Sequence, residues 1–175
     1  MKYVVLLRGI NISDKNKISM FNLKEELELL NYNNVKTYLN SGNIILESND
    51  TIDNIKSNIH NMINDKFNLD IPVYVITSLE LIDVYNYAKD WCDNHEYYYN
   101  IIFMINTTFN EVYKTIGDPS YNIDKIENYK NVILWAFDLK NYRKSNWWIK
   151  TASTDIKDKI TIRTFNTIKK LVEML

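Results

Sequence analysis

The sequence predicts an α+β fold: two βαββαβ units in tandem, a candidate structural duplication, followed by a C-terminal helix. Three observations carry that expectation. Short apolar runs of strand length alternate with longer stretches whose apolar residues recur at helical spacing. The same order of elements recurs after residue 98. With 175 residues and 46% apolar content, the chain can build one domain or two small ones with real cores.

The elements follow in order. Tyr3 to Leu7 is a continuous apolar run that suits a central strand buried on both faces. Ser19 is an N-cap for a helix carrying Met20, Leu23, Leu27 and Leu30 on one side. Asn33-Asn34 breaks it. Val35 to Leu39 alternates as an edge strand does, and Asn40-Ser41-Gly42 is turn chemistry. Ile44 to Glu47 returns. A second helix is expected to start at Asn49-Asp50, with Ile52, Ile55, Ile59, Met62 and Ile63 on one face, and Pro72 to Ile76 is the fourth strand. Ser78 to Lys89 reads as a connecting helix capped by Ser78. Then come a strand at Tyr99 to Ile105 and a helix opened by Thr107-Thr108 and closed by Gly117-Asp118-Pro119. A hairpin follows around Lys130-Asn131, then a helix within Tyr142 to Thr154, a strand at Ile160 to Arg163 and a last helix from about Asn166. This gives a first half at 1–77, a connecting helix and loop at 78–98 and a second half at 99–175. Side-by-side halves and halves that share strands both remain open.

With right-handed crossovers, the simplest βαββαβ arrangement is ferredoxin-like: four antiparallel strands in order 4-1-3-2 with two helices on one face. Its connectivity brings the exit of strand one, the turn between strands two and three and the start of the first helix to one end. Arg8, Asn11, Lys15, Lys17, Asn40, Ser41 and Asn43 would then converge beside a helix N-terminus. Cations, amides and hydroxyls in that setting suit a small anionic ligand bearing phosphate or carboxylate. The competing reading gives the same residues the task of satisfying loop backbone groups.

Leu6-Leu-Arg8-Gly9-Ile10-Asn11, Lys15-Asn16-Lys17-Ile18-x-Met20, Thr37-Tyr38-x-x-Ser41-Gly42-Asn43-Ile44 and the closing Thr161-Ile-Arg163-Thr-Phe165-Asn166-Thr167-Ile-Lys169-Lys170-Leu171 are familiar strings. On them the chain resembles the domain-of-unknown-function 1697 family of bacterial proteins. The resemblance implies a fold and no mechanism. Ser13-Asp14 stand where that family commonly has two glycines, Ser19 where it has a proline and Phe165 where it has a tryptophan.

Formal net charge is −1, so no global field drives the chain to nucleic acid or acidic lipid. The charge is uneven, with nine Lys or Arg against four Asp or Glu from residue 138 onward. Arg143, Lys144, Arg163, Lys169 and Lys170 are candidate nucleic-acid contacts, with Tyr142, Trp147, Trp148 and Phe165 interleaved. Trp147-Trp148 also reads as core plus a half-buried neighbour. No string of the kind RNA-recognition modules carry is present, and nucleic acid ranks below the anionic ligand. A protein-interaction module that docks a partner on a sheet or edge strand is a third reading.

One cysteine, Cys92, excludes an internal disulfide and fits a reducing compartment. Cys92-x-x-His95, inside Asp90 to Glu96, has no matching second pair for zinc, and the expectation is no metal and no cofactor. Glycines occur at 9, 42 and 117 only, which excludes phosphate-binding and dinucleotide-binding glycine loops. No catalytic residue is assigned. The absence of a signal-peptide pattern and of a membrane-length apolar run points to a cytoplasmic protein with no membrane partner, its oligomeric state open.

Overall fold

A computed structural model describes residues 1–92 and 95–175. The chain forms two compact units, Met1–Ile82 with Leu171–Leu175, and Asp83–Lys170.

In the first unit β1 (Lys2–Leu7), α1 (Met20–Leu29), β2 (Asn33–Tyr38), β3 (Asn43–Glu47), α2 (Ile52–Phe67) and β4 (Val73–Thr77) follow in order. The sheet runs β2-β3-β1-β4, all antiparallel, which is the expected 4-1-3-2 order. Alternation along β1 sends Tyr3, Val5 and Leu7 into one core with Leu23 and Leu27 of α1 and Ile55, Ile59 and Ile63 of α2. Val4 and Leu6, on the other face, are also fully buried. The continuous apolar run of β1 records this two-sided burial.

Local chemistry sets the ends. Ser19 accepts the Asn22 N–H at the start of α1. The second helix starts at Ile52 rather than at Asn49-Asp50, because Thr51 is its N-cap and accepts from Asn54 N–H. Asn68, at φ 53°, ends it in the left-handed conformation that Asn tolerates. The connecting helix α3 (Ser78–Trp91) is capped by Thr77, not Ser78: Thr77 Oγ1 accepts from Glu80 N–H while Glu80 Oε2 accepts from Thr77 N–H. The last residues of the chain join this unit, with Lys36 Nζ donating to Met174 O at 3.2 Å and Lys2 Nζ donating to Leu175 O.

The second unit holds β5 (Tyr97–Met104), α4 (Phe109–Ile116), β6 (Asp124–Tyr129), β7 (Val132–Asp138), α5 (Asn146–Ser153), β8 (Ile160–Thr164) and most of α6 (Phe165–Met174). Its sheet order, β6-β7-β5-β8, repeats that of the first unit. Ile102, Ile133, Trp135 and Phe137 face Val112 and Ile116 of α4 and Trp147 of α5. The opposite face, with Ile101, Phe103 and Leu134, is buried too. Thr108 and Glu111 form a capping box on α4. The hairpin turns at Lys130 (φ 50°), and its ammonium reaches Asp83 of α3 at 2.6 Å, holding that carboxyl below the usual range.

One glycine is dictated by sterics. Gly42, at φ 74°, brings its carbonyl to Leu7 N–H at 2.8 Å, and a Cβ there would lie 2.6 Å from Leu7 Cβ. Gly42→Ala is therefore expected to cost about 2–4 kcal/mol, from left-handed strain plus overpacking, read as a shift in the urea midpoint.

Candidate functional site

At the end of the first sheet where β1 exits and β2 turns into β3, an open cleft of about 440 Å³ is lined by Asn11, Ser13, Lys17, Ile18, Ser19, Met20 and Asn40. Two loops far apart in sequence and the N-terminus of α1 build it. The link between them is the carboxamide of Asn11. Its Nδ2 donates to Ile18 O at 2.9 Å and to Asn40 O at 2.8 Å, and its Oδ1 accepts from Ile18 N–H at 2.9 Å. Asn11 N–H donates to Asn16 O, and Asn16 Nδ2 donates to Gly9 O. Within this knot Lys15 N–H donates to Ile12 O at 3.0 Å, closing a tight turn over Ser13-Asp14.

Asn11, Ser13 and Asn16 all have φ near 50°, in the left-handed region. Two are asparagines, which bear that conformation at little cost, whereas serine bears it less well. The familial glycine expected at 13 thus matches a backbone demand of the turn.

The cleft's cation is Lys17, whose side chain is 68% exposed, and its Nζ lies 2.9 Å from Asp14 Oδ1. Ser19 faces the cleft while its Oγ caps α1. Met20, the first residue of α1, also lines the cleft, so the positive end of the helix dipole stands at its wall.

Of the expected residues, Asn11, Lys17 and Asn40 line the cleft together. Asn11 is committed to the loop, and Asn40 meets it through its carbonyl. Asn43 is fully buried, and its Nδ2 donates to Tyr38 O at 2.8 Å and to Ser41 Oγ at 3.0 Å. Asn43 therefore supports the hairpin from behind, because it faces Leu6 across the ladder and inherits that residue's burial, while Ser41, exposed, accepts from it and does not line the cleft. Arg8, half-buried at the end of β1, donates its backbone N–H to Pro72 O and does not line the cleft. Lys15 is exposed on the turn. Ser13, Ile18, Ser19 and Met20 also line the cleft but are not among the site residues assigned from sequence. The N-cap at Ser19 and the Ser13-Asp14 departure from the family's glycines are the local signals that lie on them.

The C-terminal cations are scattered. Arg163 is only 8% exposed and its Nη1 donates to Thr161 Oγ1 and Ile162 O, so it is no surface contact. It pairs with Ile101 in the buried face of the sheet, which also removes the surface that RNA-recognition modules use. Lys169 and Lys170 are exposed on α6. Arg143 and Lys144 are exposed in a 3-10 turn (Tyr142–Lys144) before α5. Trp147 is fully buried, with Nε1 donating to Gly117 O, and Trp148 is 43% exposed.

The stretch from Cys92 to His95 includes Asp93 and Asn94, which lie outside the described residues. Among the described residues no group of three or more His, Cys, Asp or Glu gathers as metal ligands do, and no helix is long and apolar enough to cross a membrane.

The sequence model of a family described as "Protein of unknown function (DUF1697)" matches residues 1–134. None of the curated proteins searched matches the chain. Among solved structures, the chain resembles the conserved bacterial protein SP0830 from Streptococcus pneumoniae, with a TM-score of 0.84 over 99% of this chain and 97% of that one. The two share 23% sequence identity, so the likeness speaks for the fold and carries no activity.

Two substitutions test the loop. Asn11→Ala removes three hydrogen bonds and an asparagine from a left-handed position, and is expected to cost about 2 kcal/mol in chemical denaturation. Ser13→Gly is expected to gain up to about 1 kcal/mol in the same measurement by relieving the turn.

Proposed function

The chain belongs to the DUF1697 family, whose described function is unknown, and from its cleft we propose that it binds a small phosphate- or carboxylate-bearing ligand at the loop end of the N-terminal sheet. One observation carries the reading. Two loops, brought together by the Asn11 carboxamide, place an exposed ammonium and a helix N-terminus on one open cleft. A helix N-terminus favours negative charge, and a lysine supplies a mobile point charge rather than a planar fork. The ligand's anionic group would take the place that the Asp14 carboxylate now holds on Lys17. This is binding without an assigned reaction. Asn11, Ser19 and Asn43 spend polar atoms on structure, and no catalytic role is assigned to any residue of the cleft.

Thermal shift with inorganic phosphate, pyrophosphate and citrate tests it. A bound anion should raise Tm by about 2–4 °C per kcal/mol of binding. Lys17→Ala, at an exposed position, should abolish the rise without lowering the Tm of the unliganded protein. Asp14→Asn removes the internal competitor and should strengthen binding by up to about fivefold, the worth of an exposed ion pair. No shift with any of the three anions, or equal shifts in the wild type and Lys17→Ala, would dismiss the site.

A further inference from the structure

The second unit carries a different surface, built on the α4/α5 side of its sheet. Phe137 is buried there, and Tyr98 and Trp148 pack on it with ring centroids 5.4 and 5.2 Å away. Tyr142 closes edge-on against Trp148 at 5.0 Å. Phe137 is thus the buried pedestal of the cluster, while Tyr98 remains 41% and Trp148 43% exposed. The rings hold one another, so presenting them to a ligand costs little further ordering.

The segment that bears the cluster is anchored from beneath. Asp124 Oδ1 accepts from Ser145 Oγ at 2.5 Å and from Trp135 Nε1 at 3.1 Å, and its Oδ2 accepts from Ser120 N–H at 3.0 Å. Ser145, fully buried, in turn caps α5 by accepting from Trp148 N–H. This hub fixes residues 142–148 as a unit.

Two exposed cations stand in that same segment. Arg143, exposed, lies with its guanidinium carbon 5.6 Å from the Tyr142 ring centre and bonds Tyr142 Oη through Nε, a bond that does not use its terminal amino groups. Lys144 follows it, and neither has a carboxylate partner among the described residues. The nearby carboxylates are occupied. Asp124 is spent on the hub, and Asp138 points to the other side of the strand from Phe137 and accepts from Asn141 Nδ2 and Lys140 N–H.

We propose that this face binds single-stranded nucleic acid, with bases stacking on Trp148 and Tyr98 and backbone phosphates held by Arg143 and Lys144. Exposed rings beside cations that have no counter-ion among the described residues are the chemistry that such strands select, and base-to-ring stacking tolerates any sequence. The buried sheet face plays no part, so the mode differs from that of RNA-recognition modules.

The test uses the full chain with short labelled oligo(U) and oligo(dT) at low salt, read by anisotropy and tryptophan quenching. Both should bind, with affinity falling steeply as salt rises. Preference for oligo(U) would assign RNA, equal binding a strand of either sugar. Trp148→Ala should weaken binding about tenfold. In case that variant unfolds, the double variant Arg143→Ala/Lys144→Ala, at exposed positions, decides: its log–log salt slope should shrink by about 1.4. Absence of binding at low salt, salt-insensitive binding, or an unchanged slope in the folded double variant would overturn the proposal. So would displacement of the oligonucleotide by an alternating Glu-Leu peptide at equal affinity. That result would assign the face, with exposed Leu139 and Ile149 on either side of the segment in sequence, to a protein partner.

Discussion

A single carboxamide holds the loop end of the first unit together. Asn11 spends both amide protons and its carbonyl oxygen on Ile18 and Asn40, and so ties the approach to α1 to the turn between β2 and β3. Only asparagine combines this donor and acceptor set with tolerance for φ near 50° on a short side chain. The cleft depends on that knot, because its walls come from the two segments that Asn11 joins. Gly42 provides the complementary constraint from the sheet side by letting the turn close on Leu7.

The second unit meets the same need with a carboxylate. Asp124 gathers Ser120, Trp135 and Ser145, and thereby sets the entry to α5. The units share strand order and crossover pattern, yet their loop anchors and exposed chemistry differ. One presents a lysine at a helix N-terminus, the other an aromatic cluster flanked by cations. The fold repeats while the surfaces diverge, as expected when function resides in loops grafted on a common scaffold.

Sequence reading places Asn11, Lys17 and Asn40 at one end of the first sheet, and the three line one cleft there. It could not sort polar side chains into wall and support. Asn43 looked like a ligand donor and is fully buried, because its ladder partner Leu6 is buried. Arg163 looked like a surface cation and lies in the buried face of β8 beside Ile101. In both cases register across the sheet, a long-range property, decided exposure. The Asp14–Lys17 pair was equally hidden, since a tight turn had to bring the two side chains together.

The sequence by itself determined element type and order. Helical spacing marked α1 and α2, an unbroken apolar run marked β1, an apolar run interrupted by Asn100 marked β5, and βαββαβ connectivity with right-handed crossovers left the observed strand order as the simplest outcome. These are local signals, carried by residues within a turn or two of one another. The tertiary structure decided which caps operate, with Thr77 acting rather than Ser78, and how Trp147 and Trp148 divide between core and surface. It also decided that both faces of each sheet are covered and that the last five residues pack with the first unit. Those outcomes depend on which distant segments compete for the same apolar area, and that competition is settled only when the chain has folded.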